Sequence, residues 1–102
     1  MEIKDPKEIK EIEDFIKAFM KLEAQKRNPT NDGMIDALKD ALKIATAEIR
    51  NVESSRNEIT PTPWDKIPYD VLYGKLLEYQ QGMYLHAVNK YGEELVKKRL
   101  GI

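Results

Sequence analysis

Residues 5–26 read DPKEIKEIEDFIKAFMKLEAQK, and their spacing decides the fold class. Ile9, Ile12, Phe15, Ile16, Phe19, Met20 and Leu22 recur at intervals of three and four, which is the period of one helical face. Lys7, Lys10, Glu11, Asp14, Lys17 and Lys21 fall on the opposite side. The apolar stripe is broad, as suits a helix packed against two others. Its start is marked as well. Asp5-Pro6-Lys7-Glu8 has the form of a capping box. Asp5 is placed to accept from the N3 amide, and Pro6 sits at N1 where its missing N–H costs nothing.

The same pattern recurs twice further along, so the chain divides into amphipathic stretches over 6–26, 31–57 and 68–100. Arg27-Asn28-Pro29-Thr30-Asn31-Asp32-Gly33 separates the first two. It is dense in turn formers, and Pro29 keeps Asn28 out of the helical region. Thr30 or Asn31 is expected to cap the second helix. That helix carries Met34, Ile35, Leu38, Ala41, Leu42, Ala45, Ile49 and Val52 on one face. Ala37, Ala41 and Ala45 form a row of small side chains that lets another backbone approach closely, inside the monomer or across a dimer.

A connector over 58–67 contains Pro61 and Pro63, with Pro68 just beyond it, and this rules out a continuous helix. Thr62-Pro63-Trp64-Asp65 reads as a capped single turn. Trp64, the only tryptophan, is expected to anchor it. In the last stretch the apolar residues cover a wide arc, interrupted by Gly82 and Gly92. One straight helix there would be roughly 48 Å long, too long for a compact bundle of this size. A break near Gly82 is therefore favoured, giving helices over 68–81 and 83–100. Gly101 reads as the residue that ends the final helix, after the basic turn Lys97-Lys98-Arg99. An alignment of Pro29…Leu42 with Pro63…Leu76 at an offset of 34 residues is the only hint of a repeat, and capped amphipathic helices produce such a pattern readily.

The expectation is an all-α single domain: a small antiparallel bundle of three long or four shorter helices. Its 102 residues suffice for one thin core. Charged residues make up 34%, with 17 basic against 18 acidic. They balance locally too, with seven of each sign over 1–28, four basic and five acidic over 29–57, and six of each over 58–102. A domain living on nucleic-acid phosphates shows a basic excess, and none is visible at this level. The chain contains no cysteine, which excludes disulfides and thiolate chemistry. MEIKDPKEIK is too charged for a signal peptide, and no apolar run approaches the ~20 residues of a membrane span. A cytoplasmic location is the expectation.

Few residues suggest chemistry. His86 is the only histidine, and positions 82 and 90, where a helical carboxylate partner would stand, are Gly and Lys. Nothing nearby in sequence orients it as a general base. Asp32, Asp36 and Asp40 share one helix face, but a divalent cation normally draws ligands from more than one element. Lys39 and Lys43 lie alongside them, and the first two fall where a helix start favours acids anyway. No cofactor or metal is expected.

The tyrosines are the least ordinary feature. Tyr69, Tyr73, Tyr79, Tyr84 and Tyr91 all fall within 23 residues. Tyrosine suits protein contacts because it offers a rigid apolar body and a polar tip. The sequence therefore reads as a non-enzymatic interaction module binding a protein or peptide partner through the aromatic C-terminal helix or an inter-helix groove. Trp64, Tyr69, Tyr73, Tyr84 and Tyr91 are the contact residues of that reading, and Ala37, Ala41 and Ala45 are the candidate row for a homodimer. The alternative is a nucleic-acid-associated regulator that holds phosphate with Lys90, Lys97, Lys98 and Arg99 and stacks bases on the tyrosines. An Arg50 buried against Glu48, Glu53 or Glu78 is a further expectation from spacing.

Overall fold

The computed structural model describes residues 5–55 and 63–102, with the side chains of 53–55 left aside. Part of the connector, Thr62 of the expected capped turn and Glu53 lie outside that description. The described residues form five α-helices and no strand: α1 (Pro6–Arg27), α2 (Asn31–Ile44), α3 (Thr46–Ser55), α4 (Tyr69–Tyr91) and α5 (Glu93–Leu100), with a single 3-10 turn at Trp64–Lys66. The all-α bundle is as the periodicity predicts. The helix boundaries differ in two places, and both differences have local causes.

α1 begins at its proline, as expected. Asp5 accepts from the Lys7 amide at 3.0 Å rather than from the N3 position. α2 starts on Thr30, whose hydroxyl accepts from the Gly33 amide at 3.1 Å. The expected single helix over 31–57 is broken at Ala45, where φ and ψ leave the helical region at −122° and 46°. Just beyond, the Thr46 hydroxyl donates back to the Leu42 carbonyl. Such back-bonding bends helices, because the side chain competes for a carbonyl of the ladder. Beyond the bend, α3 packs against α4.

The break expected at Gly82 is not there. α4 runs straight through it, and the chain breaks ten residues later at Gly92, where φ is +90°. Only glycine adopts that backbone without strain, so the helix ends there and α5 leaves in a new direction. Gly101 closes α5 as expected: its φ is +77°, and the Ile102 amide reaches back to the Lys97 carbonyl at 3.0 Å.

α4 is the central element and packs against α1, α2, α3 and α5. Its inner side supplies Leu72, Leu76, Tyr79, Met83 and Ala87 to a core completed by Phe15 and Leu22 from α1, Met34 and Leu38 from α2, and Ile49 from α3. Val96 brings α5 into the same core. Trp64 packs edge-on against Tyr79, with ring centroids 6.3 Å apart. This is the anchoring role expected of the lone tryptophan.

Candidate functional site: seams, a cleft and an open helix face

Ala37, Ala41 and Ala45 are fully buried among the helices of this one chain. The alanine row therefore serves the packing of α2 inside the monomer, the first of the two roles its spacing allows.

The tyrosines divide. Tyr79 is core, and Tyr69 is exposed. Tyr73, Tyr84 and Tyr91 are half-buried and pack against the core. The spacing from Tyr69 through Tyr73 and Tyr84 to Tyr91 puts these four on one side of α4. At the far end of that side, the Tyr91 hydroxyl donates to Glu11 Oε2 of α1 at 3.1 Å. Gln80, on the same side, donates to Glu23 of α1 at 2.5 Å. Most of the stripe is thus a seam within the fold rather than an open face, because a ring with one polar tip suits a half-covered position.

The basic residues of the nucleic-acid alternative are also divided. Lys90 pairs with Glu11 at 2.6 Å, and Lys97 pairs with Glu93 at 2.9 Å. Lys98 and Arg99 sit exposed on α5. Lys90 faces α1 and the other three lie on α5, so the four do not line one groove.

The bend at Ala45 opens a cleft of about 240 Å³ between α1, the end of α2 and α4, floored by Phe15 and Ile44. Glu11, Asp14, His86, Lys90 and Tyr91 complete its lining. Two electrostatic contacts there were invisible in sequence. His86 Nδ1 lies 3.1 Å from Glu48 Oε1 of α3, a partner 38 positions away in the chain. Burial works most strongly on the Glu48 carboxyl and raises it, but the hydrogen bond from His86, a backbone hydrogen bond and the His86 charge together outweigh it and hold the group below the usual carboxylate range. Glu11 is lowered by hydrogen bonds from Lys90 and Tyr91. The Tyr91 phenol is raised, first by burial and then by donating to Glu11.

A second groove, of about 420 Å³, runs between α1 and α2. There Lys21 bridges Asp36 and Asp40, the latter at 2.8 Å. Asp36 and Asp40 are thus paired from α1, and the charges of Lys39 and Lys43 add to the hold on Asp36. Arg50 is exposed, contrary to the expected buried pair, and Glu48 is taken by His86.

Two of the cleft's charged groups, Glu11 and Lys90, pair with each other, and His86 pairs with Glu48. No serine, threonine or cysteine lines the cleft. Among the described residues, no group of three or more His, Cys, Asp or Glu is arranged to hold a metal ion. Among the same residues, no helix is long and apolar enough to cross a membrane.

The remaining surface of interest is the outer side of α4. From Val71 to Asn89 this helix has only two residues of formal charge, Lys75 and Glu78, and both are buried, at 4% and 6% exposure. What faces outward is Val71, Leu77, Gln81, Leu85 and Asn89, with half-buried Gly74 and Val88 beside them. Leu77 and Leu85 are 44% and 43% exposed. In a chain one-third charged, five turns of helix present no charge to solvent. The opposite case is α1, whose outer face carries Lys7, Lys10, Glu13, Asp14 and Lys17. Sequence reasoning passed over this face in favour of the tyrosines. The signal was present: residues 79–89, YQQGMYLHAVN, contain no Asp, Glu, Lys or Arg.

Comparison with protein-family models, curated proteins and solved structures finds no match to this chain.

Proposed function

We propose that this chain is a protein-interaction module without catalytic activity, and that its docking surface is the outer face of α4 around Leu77, Gln81 and Leu85. One observation carries the reading: an exposed helix face without charge in a chain that charges its other outer faces. Depletion of charge is the compositional mark of the centre of a protein interface. A purely solvated face has no reason to avoid Lys and Glu, which are good helix formers. The partner suited to such a face is an apolar helical surface, laid along α4 with anchors at helical spacing.

The tyrosines keep a supporting part in this reading. Tyr73 and Tyr84 flank the leucines and stiffen the edge of the face. The ion pairs Lys90–Glu11 and His86–Glu48 beside the cleft fit a structural role for that region.

The test is selection of a displayed library of amphipathic helical peptides on the folded domain, followed by amide chemical-shift mapping of the selected binders. The expected result is a contiguous footprint over Gly74 to Val88. Binders that map to the cleft or to α1, or a selection that yields none, would overturn the reading.

A further inference from the structure

We infer that Ala45 and Thr46 form a hinge, about which α3 exchanges between its seat on α4 and an open position in which α2 and α3 run on as one helix over 31–55. The device is a lid built into the fold, with α3 as the moving part. It does not depend on the reading of the outer α4 face.

The first observation is that the local sequence holds no helix breaker at the bend. Ile44-Ala45-Thr46-Ala47-Glu48 contains neither glycine nor proline, where sharp kinks normally fall. The apolar stripe also crosses the bend without a change of phase. Leu38, Leu42, Ala45, Ile49 and Val52 keep intervals of four and three. A helix drawn straight through Ala45 therefore keeps Ile49 on the same side as Leu38 and Leu42.

The second observation is the backbone ladder. α2 ends with the Ala45 amide on the Ala41 carbonyl at 3.0 Å, and α3 begins with the Ile49 amide on the Ala45 carbonyl at 2.9 Å. A continuous helix would form three rungs between these, from the amides of Thr46, Ala47 and Glu48, and the bend interrupts them. One of the three has a substitute. The Thr46 hydroxyl donates to the Leu42 carbonyl, the group that takes the Thr46 amide when a helix runs on. That carbonyl keeps a partner in both positions, the hydroxyl when α3 is seated and the amide when it is open. Thr46 and Ala47 are exposed, so water reaches the other interrupted rungs.

The third observation is what holds α3 down. Two contacts clasp it to α4 about one turn apart. Ile49 is fully buried, and a Cβ added to Gly82 would meet its Cγ1 at 3.0 Å. Glu48 Oε1 lies 3.1 Å from His86 Nδ1. The seated position thus has tertiary contacts that the open one lacks, and the open one has ladder rungs that the seated one lacks. Competing contact sets of this kind give an element two discrete arrangements rather than a continuous range. α2 is anchored without α3, through buried Met34 and Leu38 and through Lys21 on Asp36 and Asp40. The lid therefore swings on a fixed base. Opening bares Ile49 together with the α4 backbone at Gly82.

The chain contains no cysteine, so spin labels at Asp32→Cys and Asn51→Cys, both exposed positions, report on the hinge in the full chain. Their separation is read by pulsed electron paramagnetic resonance. A straight helix sets the two Cα atoms about 28 Å apart, and the bend brings them closer. The wild type is expected to show the shorter separation. Gly82→Leu fills the seat, and Thr46→Val removes the hydroxyl while keeping the branched shape of the side chain. Each is expected to move the distribution to the longer separation with the helical circular dichroism retained. A short separation kept in both variants would overturn the hinge, since α3 would stay bent without either support. A broadened distribution with loss of helical signal would overturn it as well, because α3 would be melting rather than straightening. If Gly82→Leu does not fold, Thr46→Val decides alone by the same readings.

Discussion

Gly82 of α4 lies so close to Ile49 of α3 that an added Cβ would stand 3.0 Å from Ile49 Cγ1 and 3.3 Å from its Cα. The glycine that looked like a helix breaker is a contact point. Its missing side chain lets the bent α3 settle onto the central helix, and His86 one turn further on ties the same two helices through Glu48.

Gly82→Ala is therefore expected to destabilise the protein. Alanine improves helix propensity by up to ~1 kcal/mol, but overpacking against Ile49 costs about 1–3 kcal/mol. The net loss, read by urea denaturation, should be on the order of 1 kcal/mol. In an Ile49→Ala background the loss should shrink or reverse, because the two positions are in contact.

Gly74→Ala gives the opposite sign. The position is helical and open, so the substitution should stabilise the dilute monomer by about 0.5–1 kcal/mol. A thermal melt at low protein concentration reads this directly. A loss of stability at Gly74 would mean that the face is covered within the monomer.

Acid should weaken the fold in a defined window. Glu11, Glu23, Asp36 and Glu48 are all held below their ordinary values in the folded state. A depressed carboxylate contributes stability that is fully present above its unfolded value, about 4. That contribution is lost as pH falls through the folded value. Urea denaturation from pH 6 to pH 2 should show stability falling below about pH 4. Glu48→Gln should flatten that slope, since it removes one of the four titrating groups. An unchanged slope would detach Glu48 from His86.

The Tyr91 phenol should titrate above its ordinary range. Burial raises it first, and its hydrogen bond to Glu11 raises it further. Glu11→Gln should bring it down, as it removes the acceptor charge and leaves Lys90 without its counter-ion. Carbon-13 spectra of labelled tyrosine across a pH series would follow the ring. A titration indifferent to Glu11 would contradict the contact.

The parts of this fold that sequence made legible are those written in local pattern. The α1 stripe, the Thr30 cap and the Gly101 terminus each depend on residues close together in the chain. The two helix-boundary differences have separate causes, each beyond local pattern. Gly82 and Gly92 have the same helix propensity, and only tertiary contact separates a glycine that admits Ile49 from one that turns the chain. The bend at Ala45 depends on one threonine hydroxyl, a signal too small to register beside the strong periodicity of α2. Glu48–His86 and Glu11–Tyr91 join residues 38 and 80 positions apart, so no spacing rule reaches them. The uncharged run over 79–89 was readable, but the tyrosines within it drew the reading toward a stripe that the structure half-covers.

The central claim is that α4 spends its inner side on the fold and keeps its outer side for a partner. The most direct test is the double substitution Leu77→Glu with Leu85→Glu, measured for melting temperature at low concentration and for binding of helical peptides selected on the wild-type protein. The account predicts an unchanged melt and abolished binding. A variant that melts far earlier, or one that binds as well as the wild type, would contradict it.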